Sequence, residues 1–544
     1  METNSKHIEY KLTGKFSKLI VDYLSGNPLL EEFYAHKPDL NGIQSVIEER
    51  KKFNTDRKKI RDVFSGSYVG SSASAIQLKN IESLSNENTF TVCTAHQPNI
   101  FTGYLYFIYK TAHAIVLAKY LNEHLPGNYF VPVFYIGSED NDLDELSKFK
   151  LNGNSYKWDT DQKGAVGRML VDKGIMKLID QIESELAHLP FSADLIQKIK
   201  KAYLPGIDIA QATFILLNEL FREEGLLVLQ PDHEGLKGEM KRVFRDDLID
   251  GVPESLVTIT NEKLAEKYHL QVSPRKVNLF YMRDGIRNRI DKKGNYFLVD
   301  GTDIKFTSKE ILDELESFPE RFSPNVILRG LYQETILPNI IFIGGGSEVA
   351  YWMQLKNLFQ HYAVPFPVLI LRNSFMIMNG KQEHKLKELD ISLADLFKDE
   401  TVLSNEMIIK WSENEFSLSN ELTEAKSLFD LLRIKSGEID KSLVQHVHSL
   451  EVDMLKKIDT LEKKMLRAER KKQTVQLQRI WKLKGELFPN GNLQERVENF
   501  MPFYAEYGPS FIQSIIEHSL PIEQEFIAVV MNQKINGQDR EEVG

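Results

Sequence analysis

Residues 129–136, YFVPVFYI, form an unbroken apolar, aromatic and β-branched run that stops at Gly137 and an acidic cluster. A strand without a polar face must be covered on both sides, as strands of parallel α/β sheets are. The surrounding text supports that reading. Residues 89–95 are a β-rich run and lead through a polar turn to residues 105–124. There Ile108, Ala112, Ile115 and Ala118 recur at helical spacing, which completes a strand-helix-strand unit. The order returns at 225–229 followed by a helical pattern at 236–248. It returns again at 339–343, three glycines, a helical pattern at 348–362 and a strand at 367–371. Such alternation predicts an α/β fold with a parallel sheet core and connecting insertions.

The rest of the chain arranges itself around that core. Residues 1–88 read as a helical lead-in, and 89–380 as the core, with inserted segments at about 151–220 and 250–325. Part of the second insertion, 278–299, alternates like a small antiparallel sheet. Residues 381–486 read as a helical region whose stretch from about 440 to 485 is an α-helical coiled-coil arm. Leu443, Val447, Leu450, Met454, Ile458, Leu461, Met465, Ala468 and Val475 recur there mainly at spacings of three and four. An amphipathic helix lying on its own core is the alternative. Residues 487–544 read as a return segment that packs on the core and ends in a strand near 526–530. A stripe of this kind has to be buried, and a homodimer through the arm buries it most simply.

Composition narrows the function. A formal net charge of -10 opposes phosphate backbones and anionic lipid, so neither nucleic acid nor membrane is an expected partner. The longest apolar runs fall short of the ~18 residues a membrane helix needs. Cys93 is the only cysteine, which excludes an intrachain disulfide and fits a reducing, cytoplasmic setting. No export signal opens the chain. No spaced ligand set predicts a protein-built metal site, His233 being isolated from any partner.

Three strand ends carry candidate chemistry, because ligands of open parallel sheets bind at carboxyl ends. The first is Thr94, Ala95, His96 and Gln97, with Gly103, Tyr106 and Lys110 beyond. A helix N-terminus favours an anion, His96 can donate to its oxygen, and Lys110 can neutralise it. Equally, His96 can cap the helix with Lys110 in solvent. The second is Glu139, Asp140, Asp142, Asp144 and Glu145, carboxylates whose mutual repulsion is relieved by a cation, a substrate ammonium or water. A solvated acidic cap is the structural alternative. The third is Gly344, Gly345, Gly346 and Glu348 with Tyr351 and Gln354. It has neither dinucleotide-fingerprint spacing nor a Walker ending, and it serves a tight turn as well as a ligand. Arg329 and Arg372 lie near strand edges, as do Asp232 and His233.

Four long stretches then fall in order: TAHQPNIFTGYLYFIYK (94–110), VPVFYIGSEDNDLDE (131–145), SPNVILRGLYQETILPNIIFIGGGSEVAYWMQLK (323–356) and LFPNGNLQERVENFMPFYAEYG (487–508). Together they resemble the BshC family, the cysteine ligases of bacillithiol synthesis, over essentially the whole chain. Ala95 stands where that family usually has glycine. The resemblance implies a Rossmann-like core with connecting insertions and a coiled-coil arm used for dimerisation. It also implies joining of the L-cysteine carboxyl group to the amino group of glucosaminyl-malate. Amide formation from a free carboxylate needs activation, which implies ATP, and Mg2+ with it. In that frame His96 and Lys110 meet anionic groups, and Glu139, Asp140 or Asp142 the substrate ammonium. Arg329, Tyr351 and Gln354 contact sugar or malate. Thr94, Gln97, Gly103, Tyr106, the three glycines, Glu348 and Arg372 complete the substrate and nucleotide contacts. Two other readings stay open: a nucleotidyl- or glycosyl-transferase on the same fold, and a non-catalytic coiled-coil scaffold.

Overall fold

The computed structural model describes residues 3–412 and 417–532 of the chain. Two compact units emerge, one of Met1–Asn379 with Gly491–Gly544 and the other of Gly380–Asn490. In the first, β1 (Thr89–His96), β2 (Tyr129–Ile136), β3 (Leu227–Leu229), β4 (Asn339–Gly344) and β5 (Val368–Leu371) form a parallel sheet in the order β5-β4-β1-β2-β3. Thr94 pairs with Phe134 on one side and Ile343 on the other, so the strands end nearly in line. The chain winds outward from β1 to β3, then crosses back to add β4 and β5. Strand order therefore reverses between β1 and β4, where departing loops diverge and leave a crevice.

Helix α1 (Tyr106–His124) crosses from β1 to β2 and is buried on nearly every side, including Lys110 and His113. On the core, Ala114, Leu117 and Leu121 of α1 join Phe90, Val92, Ile341, Ile343, Val368 and Ile370 of the sheet and Ile43, Val46 and Ile47 of the helix Leu40–Lys52. Each such Val, Leu, Ile or Phe side chain contributes roughly 1.5–3 kcal/mol by leaving water.

Several boundaries differ from expectation. The lead-in is not all helical, for Thr3–Glu9 is a strand paired antiparallel with Glu525–Met531, itself parallel to Ser374–Asn379. TNSKHIE has no β pattern and buries only Ile8; its partner supplies the buried face. The helix expected at 236–248 breaks into Glu234–Lys237, a turn at Gly238–Met240 and Lys241–Ile249. The helix after the glycines divides into α2 (Gly346–Met353) and Lys356–Tyr362. The second insertion forms a five-stranded antiparallel sheet that includes Leu279–Arg283, Ile286–Lys293 and Phe322–Pro324.

The second unit is helical. In it α3 (Ser419–Ile439) and α4 (Lys441–Lys472) make a hairpin that turns at Asp440, whose carboxylate accepts from Ser442 N–H at 2.8 Å. Thr474–Leu487 continues after a break at Gln473. Among the described residues no helix is long and apolar enough to cross a membrane.

Candidate active site

A cavity of about 450 Å³ opens at the carboxyl ends of the parallel sheet. Every strand contributes to it: His96 and Gln97 after β1, Gly137 to Asp140 after β2, Pro231 beyond β3, Gly345 to Glu348 after β4, and Arg372 after β5. Arg329 enters from the helix Val326–Ile336 and Arg287 from the inserted antiparallel sheet.

At the first strand end the chain does not run straight into α1. A turn at Ile100–Thr102 intervenes, with Phe101, Thr102 and Gly103 at φ 51°, 66° and 64°. A side chain at Gly103 would meet Asn99 at 2.9 Å, so this glycine serves the turn. Leu105 N–H donates to the Glu498 carbonyl at 2.8 Å, which spends a donor that the sequence offered to an anion. His96 Nε2 lies 3.3 Å from the Tyr106 hydroxyl. Burial, followed by the nearby Lys110 charge, pushes its imidazole down to about 3, so it is neutral near pH 7. If Nε2 accepts from Tyr106, Nδ1–H is left to donate.

Lys110 does not line the cavity. Its Nζ donates to the Ala95 carbonyl at 2.7 Å and pairs with Glu348 Oε2 at 2.7 Å, with only 1% of the side chain exposed. The expectation that it neutralises a ligand is corrected: a buried ammonium is spent on a protein carboxylate. Thr94 is likewise structural, its hydroxyl donating to the Ile343 carbonyl at 2.9 Å. Ala95 is fully buried, so its methyl group does not narrow the cavity.

The second strand end separates its carboxylates by role. Glu139 is 7% exposed, is paired with the wholly buried Lys237, and accepts from Ser323 Oγ at 3.3 Å. Burial raises its carboxyl group and Lys237 counters. Lys237 also lies 3.5 Å from Asp232, which Arg168 clamps at 2.6 and 2.9 Å. Glu139 is therefore not an open anion awaiting a substrate ammonium. Asp140 accepts from Gln97 Nε2 at 3.2 Å and faces the cavity. Asp142 caps the short helix Leu143–Leu146 and borders a neighbouring cavity instead. Glu145 lines the main one, its carboxyl raised by burial, then by Asp142 and Asp140.

At the third strand end Gly344 is packed, since a Cβ there would approach the Phe342 ring to 2.7 Å. Gly345 and Gly346 border the cavity, and Gly345 N–H donates to Glu348 Oε2 at 2.7 Å. Arg329 donates to the Tyr351 hydroxyl and pairs with no carboxylate among the described residues. Arg372 meets Glu495 through two bonds of 2.7 and 2.9 Å and still edges the cavity. Gln354 is corrected away from the site: buried, it donates to Asn261 Oδ1 at 2.6 Å and accepts from Gln271 and Val272 N–H.

Sequence reasoning passed over Lys237, Arg287, Glu495 and Arg496. Only the LQER stretch, which holds Glu495 and Arg496, carried a motif signal. The cavity thus combines guanidinium groups suited to oxyanions with carboxylates able to take a proton from an amine.

The comparisons fit this architecture. The family model described as "Bacillithiol biosynthesis BshC, N-terminal Rossmann-like domain" matches residues 1–373, and "Bacillithiol biosynthesis BshC, C-terminal coiled-coil domain" matches 375–531. A relative in Christiangramia forsetii is 39% identical over 97% of this chain and 98% of its own length. One in Flavobacterium psychrophilum is 39% identical over 95% and 98%. A more distant one in Salinibacter ruber is 28% identical over 93% and 95%. Each bears a name that proposes a cysteine ligase, BshC. With both of its regions matched in order and its relatives covered almost end to end, the chain belongs to the BshC family of bacillithiol biosynthesis.

Proposed function

We propose that this protein is an amide-forming ligase that joins the carboxyl group of L-cysteine to the amino group of glucosaminyl-malate. The observation that carries the reading is the pairing, in one crevice at the strand-order reversal, of Arg329 without a carboxylate partner and of open acids Asp140 and Glu145. Arg329, with Tyr351 held against it, suits a substrate carboxylate. A neutral His96 suits hydrogen bonding to an oxygen that gains charge during acyl transfer.

The attacking amine must be unprotonated and must lose a further proton as the amide forms. Asp140 or Glu145 takes it, and the upward shift of the Glu145 carboxyl makes that residue a better base. Lys237 holds Glu139 as a fixed charge beneath the site, so Glu139 acts by positioning.

ATP is the proposed activating co-substrate; it would supply the phosphoryl or adenylyl group that turns the cysteine carboxylate into an acyl donor. Arg372 and Arg496 are the residues that would hold its phosphates. Among the described residues no three His, Cys, Asp or Glu side chains gather as a metal cage. Mg2+ bound through phosphates needs only one or two carboxylates, and whichever of Asp140 and Glu145 does not take the amine proton would provide one.

Purified protein given L-cysteine, glucosaminyl-malate, ATP and Mg2+ is expected to form the condensed thiol, read by mass spectrometry. No product from the full mixture rejects the ligase reading. Product that forms equally without ATP rejects the nucleotide.

A further inference from the structure

Arg287 sits on the inserted antiparallel sheet, in the strand Ile286–Lys293, and is 7% exposed. A guanidinium stays charged at any ordinary pH, and burying one without a counter-charge costs several kcal/mol. Its hydrogen-bond partners are all neutral, and the carboxylates of Glu139 and Asp140 favour its charge only from beyond ion-pair distance. Nε donates to Ser323 Oγ at 3.1 Å, Nη1 donates to Asn141 Oδ1 at 2.9 Å, and the group stacks over the Phe280 ring at 4.0 Å. Among the described residues no carboxylate pairs with it and Nη2 has no hydrogen-bond partner.

Arg287 stands where two cavities meet. Arg287 lines both the main cavity and a neighbour of about 380 Å³, and Asp140, Asn325 and Val326 are shared between them as well. Arg275 and Arg289 also line the second cavity, both exposed and neither ion-paired among the described residues. Asp140 and Asp142 face it too, each accepting a backbone N–H at 3.0 Å. Asp291 is the remaining acid of the lining.

We propose that Arg287 is an oxyanion-binding residue of the active site, its free Nη2 edge taking a carboxylate or phosphate oxygen of a ligand that spans both cavities. Arg275 and Arg289 give that ligand a second, weaker anion contact. The inserted sheet is thereby part of the recognition surface and not only a brace. This deepens the ligase reading, and rests on it only for the choice of probes.

The test is calorimetric titration of the full-length protein with L-malate and, separately, with inorganic pyrophosphate. Arg287→Met is expected to weaken at least one of them tenfold or more, since a charge-assisted contact to a desolvated guanidinium is lost. Weakening confined to malate identifies a carboxylate source, and weakening confined to pyrophosphate a phosphate source. Equal affinities in wild type and variant for both probes, or no binding of either to the wild type, overturn the proposal. Where Arg287→Met does not fold, Arg287→Lys decides, since it keeps the charge but loses the Nη2 edge: a severalfold loss is expected, and unchanged affinity for both anions overturns the proposal. No turnover is measured, so a protein that binds anions this way yet forms no amide would sink the ligase reading alone.

Discussion

Lys110 and Glu348, 238 residues apart, join at 2.7 Å directly beneath the strand-order reversal and tie α1 to the glycine turn that opens α2. Glu348 Oε2 also accepts from Gly345 N–H at 2.7 Å, and the Lys110 ammonium also reaches the Ala95 carbonyl. One ion pair therefore sets the spacing of the two loops that frame the crevice.

The two partners are unequal, since 1% of the Lys110 side chain is exposed against 23% of Glu348. Breaking a buried pair by removing one member costs about 3–5 kcal/mol, because the survivor keeps a desolvated charge. Lys110→Met leaves a carboxylate that water can partly reach, whereas Glu348→Gln leaves an ammonium that water cannot. Urea denaturation is expected to place Glu348→Gln as the more destabilised, with Lys110→Met at about 3 kcal/mol. The reverse order would mean that the pair does not bear the load assigned to it.

His96 gives a pH signature. Its folded value near 3 lies below the unfolded 6.5, first through burial and then through Lys110. Between those values the unfolded chain binds the extra proton, so stability falls as pH drops from 6.5 toward 3, by at most ~1.4 kcal/mol per pH unit. Above 6.5 the residue contributes no slope. His96→Gln should therefore flatten part of the acid limb of stability while leaving the neutral region unchanged. Its effect on product is expected on the order of 10²-fold. A wild-type rate limb near pH 6–7 that His96→Gln removes would contradict a neutral His96.

Glu139 and Asp140 are adjacent in sequence but differ in burden. Glu139→Gln strips Lys237 of its nearer counter-charge and leaves Asp232 at 3.5 Å, so a loss of about 1–3 kcal/mol is expected. Asp140→Asn keeps a side chain able to hydrogen-bond with Gln97, and is expected to leave the melting temperature within a degree or two while lowering product formation. Thermal melts beside a product assay separate the two. Unchanged activity in Asp140→Asn would remove that carboxylate from the chemistry.

Much of this architecture was legible because its strands are continuously apolar and its helices periodic: 129–136 and 339–343 announce a buried parallel sheet without help from the rest of the chain. The strand Thr3–Glu9 was not, because a partner more than five hundred residues away confers its structure. At the site, local motifs led to His96, Asp140 and Arg372, which do line the cavity. They also led to Lys110 and Gln354, whose polar ends turn inward to protein partners. Spacing along a chain cannot distinguish a lysine that faces a ligand from one consumed by a carboxylate 238 residues later. Lys237 and Arg287 were missed for the complementary reason: nothing local marks them, and tertiary packing brings both to the wall beneath Glu139 or beside it.

The helical unit carries the last prediction. Hairpin pairing of α3 with α4 leaves much of the apolar seam uncovered, with Leu443 39%, Leu450 48%, Met454 46% and Leu461 52% exposed, and Leu428, Leu431 and Ile434 of α3 at 55%, 58% and 62%. No residue of α3 is buried, and on α4 only Glu451 and Glu469 are. Apolar surface of this kind is seldom left to water, and the 32-residue α4 is long enough to pair with a copy of itself. The proposed assembly is a two-fold homodimer through the hairpin, the symmetry under which one self-complementary patch covers both copies. Leu450→Glu together with Leu461→Glu places charges on that seam, outside the unit that holds the parallel sheet. Light scattering is expected to give a dimer for the wild type at micromolar concentration and a monomer for the double variant, with the helical circular dichroism largely retained. A wild-type monomer, or a double variant that still dimerises, would locate the cover for this seam elsewhere.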